Sequence, residues 1–242
     1  MLVLLPPSET KAIGGDQSPL DLDRLSFPEL NPTRDKLVTA LVELARDEAA
    51  SIKALEISAK QTDEVRRNAE LRTSPALPAL ARYTGVLYDA LGFATLTAAE
   101  RARAQQKLAV ASALFGVVRG ADPIPAYRLS GGNTLPALGS LRTLWKPVLE
   151  PVLAQREDFV VDLRSGAYAN LAKVPGAAQV RVLTEDGKVI SHFNKAHKGL
   201  LARAIATSRA EPGDLKGLVK LAQKAGIDLR ATGPHAADLI VH

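Results

Sequence analysis

A mixed α/β fold is what this sequence predicts, on three observations. Short, mostly apolar runs of strand length stand at residues 1–5, 108–114 and 159–163, the first of them wholly apolar. Stretches with helical spacing of apolar residues separate them. Asp186-Gly187 lies between the runs 180–184 and 189–193, as the two-residue turn of a hairpin does. Strands alternating with helices, plus one hairpin, make a mixed β-sheet surrounded by helices. With 242 residues, 46% of them hydrophobic, the chain has material for a real core and is no disordered tail. No repeat, low-complexity segment or clean boundary divides it, so one compact domain over residues 1–242 is expected.

The elements follow in order. Residues 1–5 form a first strand; with no basic leader and so short an apolar run, they do not read as a signal peptide. Pro6-Pro7-Ser8-Glu9-Thr10-Lys11 turns away and puts polar groups at the carboxyl edge of the sheet, where α/β ligand sites collect. The phosphate-loop spacing G-x-x-x-x-G-K-[ST] is absent. The chain is then loop-like to Pro32. Leu37, Leu41, Val42, Leu44 and Ala45 recur at helical spacing, and a helical pattern returns from Thr62 to Arg72. Residues 83–91 read as a short helix, and Thr97 with Glu100 forms a capping box for the next one. Residues 141–153 are helical in pattern, although Pro147 and Pro151 should kink them or confine them to turns. A basic amphipathic helix is expected from Lys195 to Arg209, another over 215–224, and a closing strand over 237–241.

Residues 111–129 carry the most chemistry. The apolar run ends at Leu114, breaks at Gly116 and Gly120, and stiffens at Pro123 and Pro125. Arg119, Asp122, Tyr127 and Arg128 sit among these breaks. A buried strand ending in a Gly-rich, Pro-braced loop is how an α/β protein presents a polar site. Two guanidiniums near a tyrosine suit a phosphate or another anion, because Arg offers planar, bidentate donors. The plainer alternative is an Arg119–Asp122 pair that only holds the loop, with Tyr127 a half-buried core residue.

Composition removes several function classes. There are no cysteines, which excludes disulfides, thiolate catalysis and cysteine metal sites, and suits a cytoplasmic protein. None of the four histidines forms an H-E-x-x-H pair, so neither metal nor cofactor is expected. No apolar run has the length to cross a bilayer. The formal charge of +5 favours polyanions moderately. Aromatics at 4% argue against a platform that stacks many single-stranded bases.

The sequence also resembles the YaaA family of bacterial peroxide-stress proteins, over nearly its whole length. The resemblance rests on Pro7-Ser8 with Lys11, then Gly85-x-x-Tyr88-x-x-Leu91. It continues through Gly116-Val117-Val118-Arg119, Asp122 and Tyr127-Arg128-Leu129. Trp145, Leu163-x-Ser165-x-x-Tyr168 and Lys195-x-x-Lys198-Gly199 complete it. There are departures. Glu9 stands where the family commonly has lysine, Phe115-Gly116 replaces Tyr-Gly, and Gly120 replaces a proline. Ala167 replaces the acidic residue before Tyr168, which removes a carboxylate there. The resemblance implies a basic cleft at the sheet edge, DNA binding, and a cytoplasmic role in limiting peroxide and iron damage. It also implies a helix-hairpin-helix element, for which Lys173-Val174-Pro175-Gly176 offers a hairpin turn.

Two function classes remain. The first is a protein that binds duplex DNA through phosphates, without base reading or a protein partner. Its contacts would be Ser8, Lys11, Arg119, Arg128, Arg164, Ser165, Lys195, Lys198 and Arg203, with the helix that starts at Lys195 presenting free N–H groups as well. The second is a nucleotide- or base-processing enzyme. Its pocket would gather Ser8, Arg119, Asp122, Tyr127, Arg128 and Tyr168, walled by Tyr88 and Gly116, with Asp122 or Tyr127 as the catalytic group.

Overall fold

Leu2–Leu5 lies at the middle of a seven-stranded sheet, with every residue at most 1% exposed. The computed structural model describes residues 1–188 and 194–241. From one edge the strands run Leu229–Gly233, Ala236–Val241, Ala178–Thr184, Val160–Asp162, Leu2–Leu5, Leu108–Ser112 and Gly116–Arg119. The five inner strands are parallel and the two outermost are antiparallel to their neighbours. Val3 stands between Leu108 and Val161. Inner parallel strands are covered on both faces, which is why they read as unbroken apolar runs. All carboxyl ends of the inner strands therefore open on one edge of the sheet.

The helices cover the faces. Asn31–Leu44, Glu48–Leu55 and Thr62–Ala69 precede the second inner strand; Ala98–Lys107 leads into it, opened by the expected Thr97–Glu100 capping box. Asn194–Thr207 packs closely on Val86–Leu91, because Gly199 faces the Leu87 carbonyl. A Cβ there would lie 2.2 Å from that oxygen, so the approach requires glycine.

Several elements differ from the sequence reading. Within 83–91 only Val86–Leu91 is helical; Gly85, at φ +93°, parts it from a separate short helix, Ala79–Arg82. Leu141–Ala154 is one helix through both prolines, opened by Ser140, whose hydroxyl accepts from Thr143 N. Leu141, Trp145, Leu149 and Leu153 form its buried face, and that packing outweighs the lost backbone bonds. Ala178–Thr184 pairs in parallel with Val160–Asp162 and Ala236–Val241. The partner proposed for it at 189–193 lies outside the described residues. Lys173-Val174-Pro175-Gly176 joins the short helix Gly166–Ala169 to a strand, so it is not the turn of a helix-hairpin-helix.

The largest difference concerns Gly116–Arg119. This is an edge strand, antiparallel to Leu108–Ser112, and not a ligand loop. The chain reverses through Ala113–Phe115, and Gly116 takes φ +72° directly against the Trp145 ring. Arg34 covers the outer side of this strand: its Nε donates to Phe115 O (3.0 Å) and its Nη2 to Val117 O (2.8 Å). The same guanidinium reaches Ser26 O and Asn31 Oδ1, both at 2.8 Å, and is fully buried. An edge strand normally leaves such carbonyls open to other chains.

Two variants test this edge. Gly116→Ala places a methyl 2.7 Å from a Trp145 ring carbon in a left-handed conformation; it should lower stability by about 2–3 kcal/mol in urea melts. Arg34→Met leaves buried carbonyls without donors and should cost at least about 3 kcal/mol. Wild-type midpoints for either variant would contradict this account.

Candidate functional site at the carboxyl edge of the sheet

The loop after the first strand is pinned before any side chain reaches out. Lys11 bridges to Tyr83, Ala12 N donates to Arg82 O, and Thr84 N donates to Thr10 O. Tyr88 donates from its hydroxyl to Pro6 O at 2.8 Å. Lys11 folds back, donating from Nζ to Ser8 O (3.0 Å) and Glu9 O (3.2 Å), with Nζ 4.3 Å from the centre of the Tyr127 ring. Burial pushes its amine down to about 8, against the opposing pull of Glu9. Tyr127 lies beneath, bonded through its hydroxyl to Tyr83 Oη and Ser112 Oγ, both at 2.8 Å. Burial raises the Tyr127 hydroxyl well above the ordinary tyrosine value, and that of Tyr88 likewise.

Arg128 joins the same edge. Asn68 clamps its backbone from both sides at 2.8 Å, and its guanidinium meets the Glu9 carboxylate at 3.2 Å. Tyr168 accepts from Gly131 N at 3.1 Å. Arg164 forms a bidentate, buried pair with Asp162 (2.9 and 2.8 Å) and reaches Tyr168 O at 3.3 Å. Lys198 donates to Leu163 O (2.9 Å) and Arg164 O (3.3 Å). Ser8, Lys11, Tyr88, Tyr127 and Arg128 are thus linked in one polar group at this edge, and Tyr168, Arg164 and Lys198 in a second. Ser165 is exposed beside the second.

Arg119 and Asp122 are part of neither group. Arg119 pairs in register with Ala109, at the amino end of the neighbouring strand, so both residues lie at the opposite edge of the sheet. The reversal at Gly116 is the reason. Asp122 accepts from Ser26 Oγ (2.7 Å), Ser26 N (3.0 Å) and Arg119 N (2.9 Å). The Arg119 guanidinium lies over the Phe27 ring. Gly116 lies beneath Trp145 and lines no pocket with Ser8. Arg203 is turned inward as well, donating to Leu91 O (2.8 Å) and Gly92 O (3.2 Å) at a helix end. Lys195 is exposed.

Sequence reasoning missed a second feature, on the flank. A groove of about 1050 Å³ runs along Leu141–Ala154 to the loop at Lys173. Arg142, Lys146 and Lys173 line it; all three are exposed, and their side chains have no acceptor among the described residues. Its one acid, Glu150, accepts from Lys173 N at 2.9 Å. The signal was present: Arg142 and Lys146 are four residues apart, neighbours on the helix surface, beside the buried Leu141–Trp145–Leu149–Leu153 stripe. Among the described residues there is no group of three His, Asp or Glu that could hold a metal, and no helix long and apolar enough to cross a membrane.

An α/β sheet with polar residues gathered after its parallel strands defines a class: the open-sheet α/β proteins. Residues 1–227 match the family described as peroxide stress protein YaaA, and the chain belongs to that family. It is 49% identical over 235 residues to a UPF0246 protein of Corynebacterium efficiens, covering 94% of each chain. It is 43% identical to a UPF0246 protein of Streptomyces coelicolor, over 100% of this chain and 99% of that one. An uncharacterized protein of Campylobacter jejuni is 27% identical over 87% of each.

Two outcomes follow. Asp122→Asn keeps the shape but offers one acceptor oxygen to three donors; it should lower stability by about 1–3 kcal/mol while the folded variant keeps wild-type ligand binding. A fully stable variant that loses only an activity would make Asp122 functional. The second concerns pH. Between about 8 and the ordinary 10.5, the unfolded chain holds a Lys11 proton that the folded chain has released, so stability rises with pH across that window. Above about pH 10 the raised tyrosines reverse the trend, because the unfolded chain ionises first. Melting temperature should therefore climb from about pH 7.5 to 9.5, and Lys11→Met should flatten the climb. A flat wild-type profile would refute this.

Proposed function

We propose that this chain binds duplex DNA in the peroxide-stress response, through phosphates held along the Arg142–Lys146–Lys173 groove. The carrying observation is that these three exposed cations line one groove and have no acceptor among the described residues. The cations anticipated at the sheet edge are differently placed. Lys11, Lys198 and Arg203 hold carbonyls, while Arg128 and Arg164 hold carboxylates. Most of their donors are committed to those partners, and Lys11, Arg164 and Lys198 are buried where an extended polyanion does not reach. In the groove it displaces only water. The absence of base-reading geometry favours a sequence-tolerant mode. The enzyme alternative loses its general base, because Asp122 lies at the far edge with its carboxylate occupied.

Each phosphate contact adds about 0.9 to the slope of log affinity against log salt. Changing Arg142, Lys146 and Lys173 together to alanine should weaken binding on every sequence and flatten that slope by about two to three units. The control carries the same charge change at Lys216, Lys220 and Lys224, which are exposed on the helix Leu215–Lys224. An equal loss in both variants would mean that net charge alone acts, and the groove reading would fall.

A further inference from the structure

We propose that a second, separate pocket, at the carboxyl end of Val160–Asp162 and alongside Gln179–Val182 of the next strand, binds a small phosphorylated ligand through Lys198 and Arg164. The pocket measures about 330 Å³ and is lined by Asp162, Arg164, Arg181, Gln179, Asn194 and Lys198, among others. It stands beside the point where strand order changes direction. The chain leaves Leu2–Leu5 toward Leu108–Ser112, and later builds outward on the other side from Val160–Asp162. Crevices at such points in open α/β sheets are where ligands bind.

The donors point to an anion. Lys198 has three N–H groups and gives two of them to Leu163 O and Arg164 O. Arg164 has five, of which Nε and one of Nη2 go to Asp162 and one of Nη1 to Tyr168 O. Both residues are more than nine-tenths buried, and both still hold unassigned N–H groups in the same pocket. Lys11 supplies the contrast. It too gives two bonds to carbonyls, but the Tyr127 ring lies against its ammonium. Among the described residues no ring lies over Lys198, which lines a pocket instead.

Charge agrees. Asp162 offsets Arg164, and Asp238 offsets Arg181 at 2.8 Å, which leaves Lys198 as the cation without its own carboxylate. Burial lowers its amine, and Asp162 raises it only in part. An anion in the pocket would complete the set. Asn194 adds a requirement, because its Oδ1 is buried with no donor. A ligand carrying a hydroxyl beside its phosphate satisfies both needs, and a sugar phosphate or nucleoside monophosphate has that pairing. The volume falls at the low end of the range for small-molecule sites, about 300–1,000 Å³.

The test is calorimetric titration of the full chain with three probes: inorganic phosphate, adenosine 5′-monophosphate and adenosine. Binding of the two phosphate-bearing probes, with none for adenosine, is expected. A tighter fit for the nucleotide would assign an organic ligand; equal affinity would assign free phosphate. Lys198→Gln should lose about ten-fold or more, as should Asn194→Asp, which adds a negative charge without removing a buried cation. The groove variant at Arg142, Lys146 and Lys173 should bind these probes as wild type does, so this proposal and the DNA reading fail separately. Absence of binding to wild type, wild-type affinity in both pocket variants, or equal binding of adenosine would overturn it.

Discussion

Buried carbonyl oxygens need donors, and in this protein long cationic side chains supply them. Lys11, Arg34, Arg82, Arg103, Lys107, Arg119, Lys198 and Arg203 all donate to main-chain carbonyls. Each does so where regular structure leaves acceptors open. Arg103 and Lys107 reach from one helix to the end of Asn194–Thr207, at Ala206 O, Thr207 O, Ser208 O and Ala210 O. Arg203 serves the end of Val86–Leu91, and Arg34 the outer side of an edge strand. The last carbonyls of a helix carry partial negative charge, so a cation gains both a bond and a favourable field. The apolar stems of these side chains cross the core while their heads find acceptors.

That use of charge changes what the composition means. A formal +5 suggests a surface that attracts polyanions. Yet among the described residues nine of the 31 cations, Arg164 included, hold the backbone, and others are held by carboxylates. Composition counts charges; it does not count the acceptors already assigned to them. Only coordinates separate Lys198, which is buried on two carbonyls, from Lys195, three residues earlier and exposed.

Legibility followed burial pattern. Leu2–Leu5 and Leu108–Ser112 could be read because inner parallel strands must be apolar on both faces. Gly116–Arg119 could not: it is four residues long, opens with glycine and closes with arginine, all of which imitate a loop. That one misreading moved Arg119 and Asp122 to the wrong edge of the sheet. Ser8 and Arg164, which follow parallel strands, lie at one edge because a shared strand direction gives a shared edge. The helix Leu141–Ala154 survived its prolines because its four buried anchors and its Ser140 cap come from elsewhere in the pattern. The groove beside it escaped notice because no motif marks it.

The segments that carry the family resemblance act mainly in construction. Gly116 admits the Trp145 ring, Gly199 admits the Leu87 carbonyl, and Tyr88 ties Pro6. Asp122 holds Ser26 and the turn at Arg119, and Asn68 fixes the backbone of Arg128. Such residues identify a fold because replacing them breaks it; they need not touch a ligand. Function is better sought in polar groups that the fold does not use. By that criterion Arg142, Lys146 and Lys173 stand apart, since the helix buries its apolar stripe without them. The remaining N–H groups of Lys198 and Arg164 stand apart for the same reason, although the side chains that bear them also hold the backbone. In the first case the available donors are exposed along a groove, which suits an extended polyanion; in the second they are buried and enclosed, which suits a small one.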